Sequence, residues 1–291
     1  MPSVNVVNGK QIVVESLDPT QRVARFFAKP FVQMYVHRDL IAAILRREIR
    51  ARFTGSAAGW MWAVIAPLLA IAVYTFAFTT SLKLPMEDVV GKRLAYSLFI
   101  FSGIVMFNFF SEMAFRAPML LHEYSHFIKR TIFPSDMLAV ISTLRAAAYS
   151  VISAVVMLIY QLVFAQSLPW TVILFPLVFL PYIAFLIGMS WFLSAIGAFT
   201  RDAGYLMINV VPLFMFATPL FYPHDALPAP FNTLIYANAL TGYVEVARDF
   251  VLIGKLPDPL VAGWILVTSV VTFYFGYWFF DRYRNVIVDV I

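Results

Sequence analysis

The string His122-Glu123-Tyr124-Ser125-His126 is where this chain comes nearest to catalytic chemistry. It matches H-E-x-x-H, in which two histidines one helical turn apart hold zinc and the glutamate activates a water. A membrane-bound zinc metalloprotease built this way also needs a third ligand and an enclosed site. The nearest downstream acid is Asp136, and Pro134 just before it ends or redirects the local structure. Lys129 and Arg130 lie alongside and make the segment basic. The competing reading is a polar helix on a membrane surface, and it is the stronger one.

Two other charged groups stand out. Arg46, Arg47, Arg50 and Arg52 are close in sequence, and guanidinium groups bind phosphate oxygens through charge-assisted bonds. They suit a phosphate-bearing lipid headgroup, or plain anchoring on the positive side of a membrane, and the two roles can coexist. Arg145 lies inside an apolar run. A charge there is costly and takes a partner, and Glu112 is the natural one for an intramembrane ion pair. That pair is structural or coupled to a conformational change.

Absences narrow the chemistry further. Without cysteine there are no disulfides, thiolate metal sites or thiol nucleophiles. There is no G-x-x-x-x-G-K-[ST], so the sequence offers no phosphate loop for ATP, and no cofactor is expected on this chain. No apolar run carries the several acids that ion-coupled carriers use. If the protein pumps, its energy arrives from a partner. The net charge of +5 is unevenly spread and gives no case for a nucleic-acid partner.

The elements that must position these residues are apolar helices. Hydrophobic residues make up 62% of the chain and are grouped in blocks, whereas a lipid core needs about 20 per helix. Six spans are expected: Trp60–Phe78, Leu94–Phe115, Met137–Phe164, Trp170–Phe199, Tyr205–Phe221 and Val261–Phe280. Residues 1–30 read as a loosely ordered extension, and residues 31–291 as one membrane domain. From Phe31 to Phe53 the pattern is an amphipathic interfacial helix. Ile41, Ile44, Leu45 and Ile49 recur at helical spacing, with Arg46, Arg47 and Arg50 opposite. Of the 21 lysines and arginines, fifteen fall on the side of the two termini and five on the other, which makes both termini cytoplasmic.

Residues 222–258 are rich in proline yet largely apolar. Leu234–Leu240 and Tyr243–Ile253 read as two helices too short to span, a re-entrant pair lining the outer end of a pathway. Tyr74, Phe107, Phe110 and Tyr222 are candidate channel aromatics, because aromatic faces stack on sugar rings. For any one of them, ordinary apolar packing is the simpler account.

Several segments resemble a known family. Arg52-Phe53-Thr54-Gly55-Ser56, Gly59-Trp60, Trp62, Pro67-Leu68 and Tyr74-Thr75-Phe76 resemble the start of span one in type-2 ABC exporter permeases of the polysaccharide class. Leu120-Leu121 through Phe127-Ile128-Lys129, then Phe133-Pro134, resembles their cytoplasmic coupling helix. Arg201-Asp202, Thr218-Pro219-Leu220-Phe221-Tyr222 and Leu227-Pro228 fit in order. Asn238 through Thr241, with Glu245 and Arg248, resembles the gate segment, with Ala239 in place of its usual proline.

The resemblance implies an all-α membrane protein of six spans, paired with a second copy of itself in the bacterial inner membrane. It implies a separate nucleotide-binding subunit that carries ATP and Mg and docks on Leu120, Leu121, Glu123, Phe127, Lys129 and Arg130. The cargo it implies is a polyprenyl-diphosphate-linked glycan, O-antigen first, with membrane lipids as further partners. Pro219, Asn238, Thr241, Glu245 and Arg248 then form an external gate. An exporter of drugs or small lipids with the same architecture is the alternative within this class.

Overall fold

The computed structural model describes residues 3–7, 10–14, 19–77, 93–130, 134–165 and 168–291. The chain divides into two compact units, residues 1–43 and 44–291.

In the first unit, β1 (Ser3–Val7) and β2 (Lys10–Val14) pair antiparallel, with Asn5 opposite Ile12. The sequence alternates apolar residues on both sides of Asn8-Gly9, a hairpin signature. The extension expected over residues 1–30 therefore contains regular structure. Helix α1 (Pro19–Val36) follows, then α2 (Arg38–Ala51), whose residues from Ile44 onward belong to the second unit. The single interfacial helix expected from Phe31 is two helices meeting at His37. They are nearly continuous, since the His37 N–H donates to the Gln33 carbonyl and the Ile41 N–H to the His37 carbonyl.

In the second unit, the described helices are α3 (Trp62–Thr75), α4 (Arg93–Arg116), the short α5 (Leu120–Glu123) and α6 (Ser125–Arg130), and α7 (Asp136–Tyr160). Then come α8 (Pro176–Phe199), α9 (Asp202–Ala217), α10 (Phe231–Leu234), α11 (Ala239–Arg248) and α12 (Pro259–Val290). Four stretches are long and apolar enough to cross a membrane: 96–123, 136–164, 170–199 and 259–287. The expected first and fifth spans are shorter. α3 and α9 have 14 and 16 residues, about 21 and 24 Å of helix against a core of about 30 Å. The expected end of the first span, Phe78, lies outside the described residues.

Local chemistry sets several boundaries. Pro176 opens α8, and Pro259 opens α12 behind Asp258, whose side chain accepts from the Leu260 N–H at 2.8 Å. Asn238 caps α11 in the same way. The apolar stretch beginning on α4 is the central one, with 78% of it buried, compared with 28% for α12. Where α8 meets α12, glycines bring the backbones together. A Cβ on Gly276 would stand 1.9 Å from the Gly188 carbonyl oxygen. A Cβ on Gly197 would stand 1.9 Å from the Pro118 carbonyl oxygen, so α8 also grips the turn that precedes α5.

Candidate functional site

At the Tyr96 end of α4, the chain builds a buried polar cluster around Arg248 of α11. The Arg248 guanidinium donates to the carbonyls of Pro219 at 2.6 Å, Leu220 at 3.0 Å and Phe99 at 3.3 Å, and to Glu245 Oε1 at 3.0 Å. It lies 3.6 Å from the Phe99 ring centroid, a cation–π contact. Gly103 makes room, because a Cβ there would meet Nη2 at 2.7 Å. The Tyr96 hydroxyl donates to the Phe221 carbonyl at 2.5 Å, so three consecutive carbonyls of the 219–221 turn are held by side chains.

The turn is tied on its other side as well. Asn238 donates to Thr218 Oγ1 at 2.8 Å and to the Ala217 carbonyl at 3.2 Å, while its own oxygen accepts from the Leu240 N–H. Thr241 donates to the Ile235 carbonyl at 2.8 Å. Glu245 also lies 3.2 Å from His224 Nδ1, and His224 Nε2 lies 2.8 Å from Asp225. The bond to Glu245 raises the His224 pKa above its ordinary value against the effect of burial. Burial pushes the Glu245 carboxyl up, but His224 and Arg248 together outweigh it and hold it below the ordinary value.

At the Arg116 end of the same helix, six charges interlock. Glu112 Oε1 accepts from Arg52 at 2.6 Å and lies 3.3 Å from Arg145 of α7. Arg116 pairs with Glu48 of α2 at 2.8 Å and with Glu123 of α5 at 3.1 Å. Arg145 also stands 3.8 Å from Glu48. The Tyr124 hydroxyl donates to Glu48, and Tyr149 donates to the Ile49 carbonyl at 3.2 Å. Three acids and three arginines thus balance formally across α2, the turn that follows it, α4, α5 and α7, with Arg47 adding a looser contact to Glu48 at 3.9 Å. Burial alone would raise the Glu48 carboxyl; the Tyr124 and Arg116 bonds dominate and hold it below the ordinary range.

Of the other sequence candidates, Arg46, Arg47 and Arg50 are exposed on α2. Leu120 and Leu121 are buried, whereas Glu123, Phe127 and Lys129 are exposed. The side chain of Arg130 lies outside the described residues. Phe107 and Phe110 belong to the central core, and Tyr74 and Tyr222 are half-buried, with Tyr222 donating to the Phe216 carbonyl at 3.0 Å. The H-E-x-x-H string does not form one helix. The chain breaks at Tyr124, so His122 sits on α5, 3.1 Å from the Gly197 carbonyl, and His126 sits exposed on α6.

The sequence reading missed Glu48, Arg116, Tyr124, Tyr96 and His224. Glu48 carried a signal: it continues the inward spacing of Ile41, Ile44 and Leu45, and an acid on the inward face announces a cation there. The others carried none, because they meet partners brought up by distant segments.

Two of the cavities among the described residues of this unit bear on the site. One, of about 750 Å³, is almost wholly apolar and lies between α8, α9 and the Ala237–Leu240 turn. The other, of about 620 Å³, lies between α3, α4 and α7 and has Arg52, Glu112 and Arg145 in its wall.

Comparison with known proteins bears on this architecture. The chain is 25% identical over 234 residues to an O-antigen export system permease protein, RfbA, of Myxococcus xanthus, covering 79% of this chain and 87% of that one. A protein of the same name from Klebsiella pneumoniae is 24% identical over 220 residues, 75% of this chain and 82% of its own. The polysialic acid transport protein KpsM of Escherichia coli is 22% identical over 251 residues, 83% and 92% of the two chains. Residues 39–252 match the family model described as ABC-2 type transporter, so this multi-pass membrane protein belongs to the ABC-2 type transporter family.

Proposed function

We propose that this chain is the membrane subunit of an ATP-driven exporter that carries lipid-linked polysaccharide of the O-antigen class across the bacterial inner membrane. The observation that carries the reading is the way the 120–130 segment is held. Leu120, Leu121 and Ile128 anchor it in the core, while Glu123, Phe127 and Lys129 stay exposed to receive a docked subunit. Arg116 links Glu123 to Glu48, so a push on this segment reaches α2 and α4 together. The relatives named for O-antigen and polysialic acid transport support the cargo class.

In this reading both termini and the 120–130 segment face the cytoplasm, and residues 218–254 form a re-entrant gate outside. Two copies enclose the pathway. A nucleotide-binding subunit holds ATP and Mg, and its closure drives α4 and α7. Arg46, Arg47 and Arg50 attract the diphosphate of the carrier lipid to the inner leaflet, and the glycan passes Tyr74, Phe107, Phe110 and Tyr222. The test is reconstitution with a nucleotide-binding subunit that co-purifies with it. Lipid-linked glycan should raise ATP hydrolysis several-fold, and charge reversal at Arg47 and Arg50 should remove that stimulation. Hydrolysis indifferent to glycan, or full export in a strain lacking this chain, overturns the reading.

A further inference from the structure

The 620 Å³ cavity between α3, α4 and α7 has two unlike walls. Ala66, Pro67 and Ala70 of α3, with Val105 and Phe109 of α4, make one of them apolar. The other carries Arg52, Glu112, Arg145 and Tyr149. A second cavity of about 360 Å³ shares Arg52, Ala66, Pro67 and Tyr149 with the first and extends it toward Trp62. A charged patch at the end of an apolar groove fits an amphipathic molecule with an anionic head.

The charges name the sign of that head. A single carboxylate oxygen, Glu112 Oε1, sits between two guanidiniums, at 2.6 Å from Arg52 and 3.3 Å from Arg145. Of the charged groups lining the cavity, Arg52 and Arg145 outnumber Glu112 by one; Glu48, 3.8 Å from Arg145, lies outside the lining and is taken up by Arg116 at 2.8 Å. The donors exceed the acceptors as well, since Arg145 Nε is buried without a hydrogen-bond partner among the described residues. Glu112 has only two oxygens, and an arginine pair that offers this many N–H groups is better matched by the oxygens of a phosphate.

We propose that this cavity binds the phosphate groups of a polyprenyl diphosphate, and that Glu112 is the resident counter-ion that yields its arginines when the lipid enters. The inference deepens the export reading and rests on it for the identity of the lipid. It also gives the lipid a route to the motor side. Arg145 stands 3.8 Å from Glu48, which holds Arg116 and through it Glu123. An anion that recruits Arg145 therefore alters the balance of the network tied to the 120–130 segment.

The test is binding to the full-length protein in nanodiscs of zwitterionic lipid, read by tryptophan fluorescence, since Trp62 lines the adjoining cavity. The probes are polyprenyl diphosphate, inorganic diphosphate and phosphatidylglycerol. Glu112→Gln should tighten polyprenyl diphosphate binding at least about tenfold, because it removes the competing carboxylate without removing a donor. Arg52→Gln, at a side chain that is 44% exposed and tolerant of change, should weaken it by a similar factor. Equal binding in all three forms, or weaker binding by Glu112→Gln, overturns the proposal and leaves a purely structural ion pair. Phosphatidylglycerol binding as tightly as polyprenyl diphosphate overturns it in favour of a bulk anionic-lipid site. Inorganic diphosphate binding as tightly overturns it in favour of a free-anion site. If the lipid binds as expected while ATP hydrolysis ignores lipid-linked glycan, the site stands and the export reading falls.

Discussion

Replacing Arg248 by methionine should be among the most damaging single changes in the chain. Methionine fills much of the same apolar volume, so the loss is polar. It strips the charged donor from the carbonyls of Pro219, Leu220 and Phe99, and it leaves Glu245 with His224 as its remaining side-chain partner. Removing one member of a buried pair costs about 3–5 kcal/mol. Bonds from charged donors contribute about 1.5–3 kcal/mol each, but bonds sharing one group do not add. A loss of about 4 kcal/mol is therefore expected for Arg248→Met. Arg248→Lys keeps the charge but cannot span four acceptors from one ammonium, and should lose about 2 kcal/mol. The double variant Arg248→Met with Glu245→Gln should cost about 2 kcal/mol less than the two single losses combined, because one contact is removed only once. Reversible unfolding in mixed micelles measures all four forms. A loss below about 1 kcal/mol for Arg248→Met would show that this guanidinium does not hold the 219–221 turn, and strict additivity in the cycle would show that it does not couple to Glu245.

Gly103→Ala drives a methyl group to within 2.7 Å of Arg248 Nη2, and the guanidinium is pinned by three carbonyls, so the change should cost about 1–3 kcal/mol. Its loss should largely vanish in an Arg248→Met background, measured by the same unfolding. The His224–Glu245 contact sets a pH window. The folded-state pKa of His224 is raised above 6.5, so its contribution is complete below 6.5 and lost as pH rises through the raised value. That of Glu245 is lowered below 4.5, so its contribution is present above 4.5 and lost as pH falls through the lowered value. The unfolding midpoint should therefore decline on the alkaline side, and His224→Gln should flatten that limb; an unchanged profile would sink the assignment. Arg116→Gln separates Glu48 from Glu123, and should reduce glycan-stimulated ATP hydrolysis several-fold while basal hydrolysis by the partner persists.

The architecture was legible because lipid imposes a coarse rule. Runs such as Trp170–Phe199 and Val261–Phe280 have one explanation, and the structure gives helices there. The 222–258 segment was legible as two helices too short to span, but the break falls at Asn238, where the first was expected to run on to Leu240 and the second to begin at Tyr243. A cap whose side chain bonds Thr218, Ala217 and Leu240 depends on a turn twenty residues earlier. The site was legible only where a residue contradicts its surroundings. Arg145 is a charge in an apolar run, and Glu112 stands 3.3 Å from it. Arg116 and Tyr124 contradict nothing locally, and their roles appear only when α2 is brought against them. The close approaches at Gly197 and Gly276 were silent for the same reason, since a glycine in an apolar helix looks like any other until the opposing backbone is known.

These observations converge on α4. Its Tyr96 end supplies the hydroxyl, carbonyl, ring and open space around Arg248, through Tyr96, Phe99 and Gly103. Its Arg116 end supplies Glu112 and Arg116 to the six-charge network. Phe99 and Glu112 are thirteen residues apart, about 20 Å along the helix, so no charge of one cluster is in direct contact with the other. What joins them is the packed helix itself. The packing favours this, because α4 is buried along most of its length and contains no proline between Arg93 and Arg116. At one end Arg52 and Arg145 share a single oxygen of Glu112. At the other, three backbone carbonyls share Arg248, so displacing α4 at either end would disturb several bonds at once.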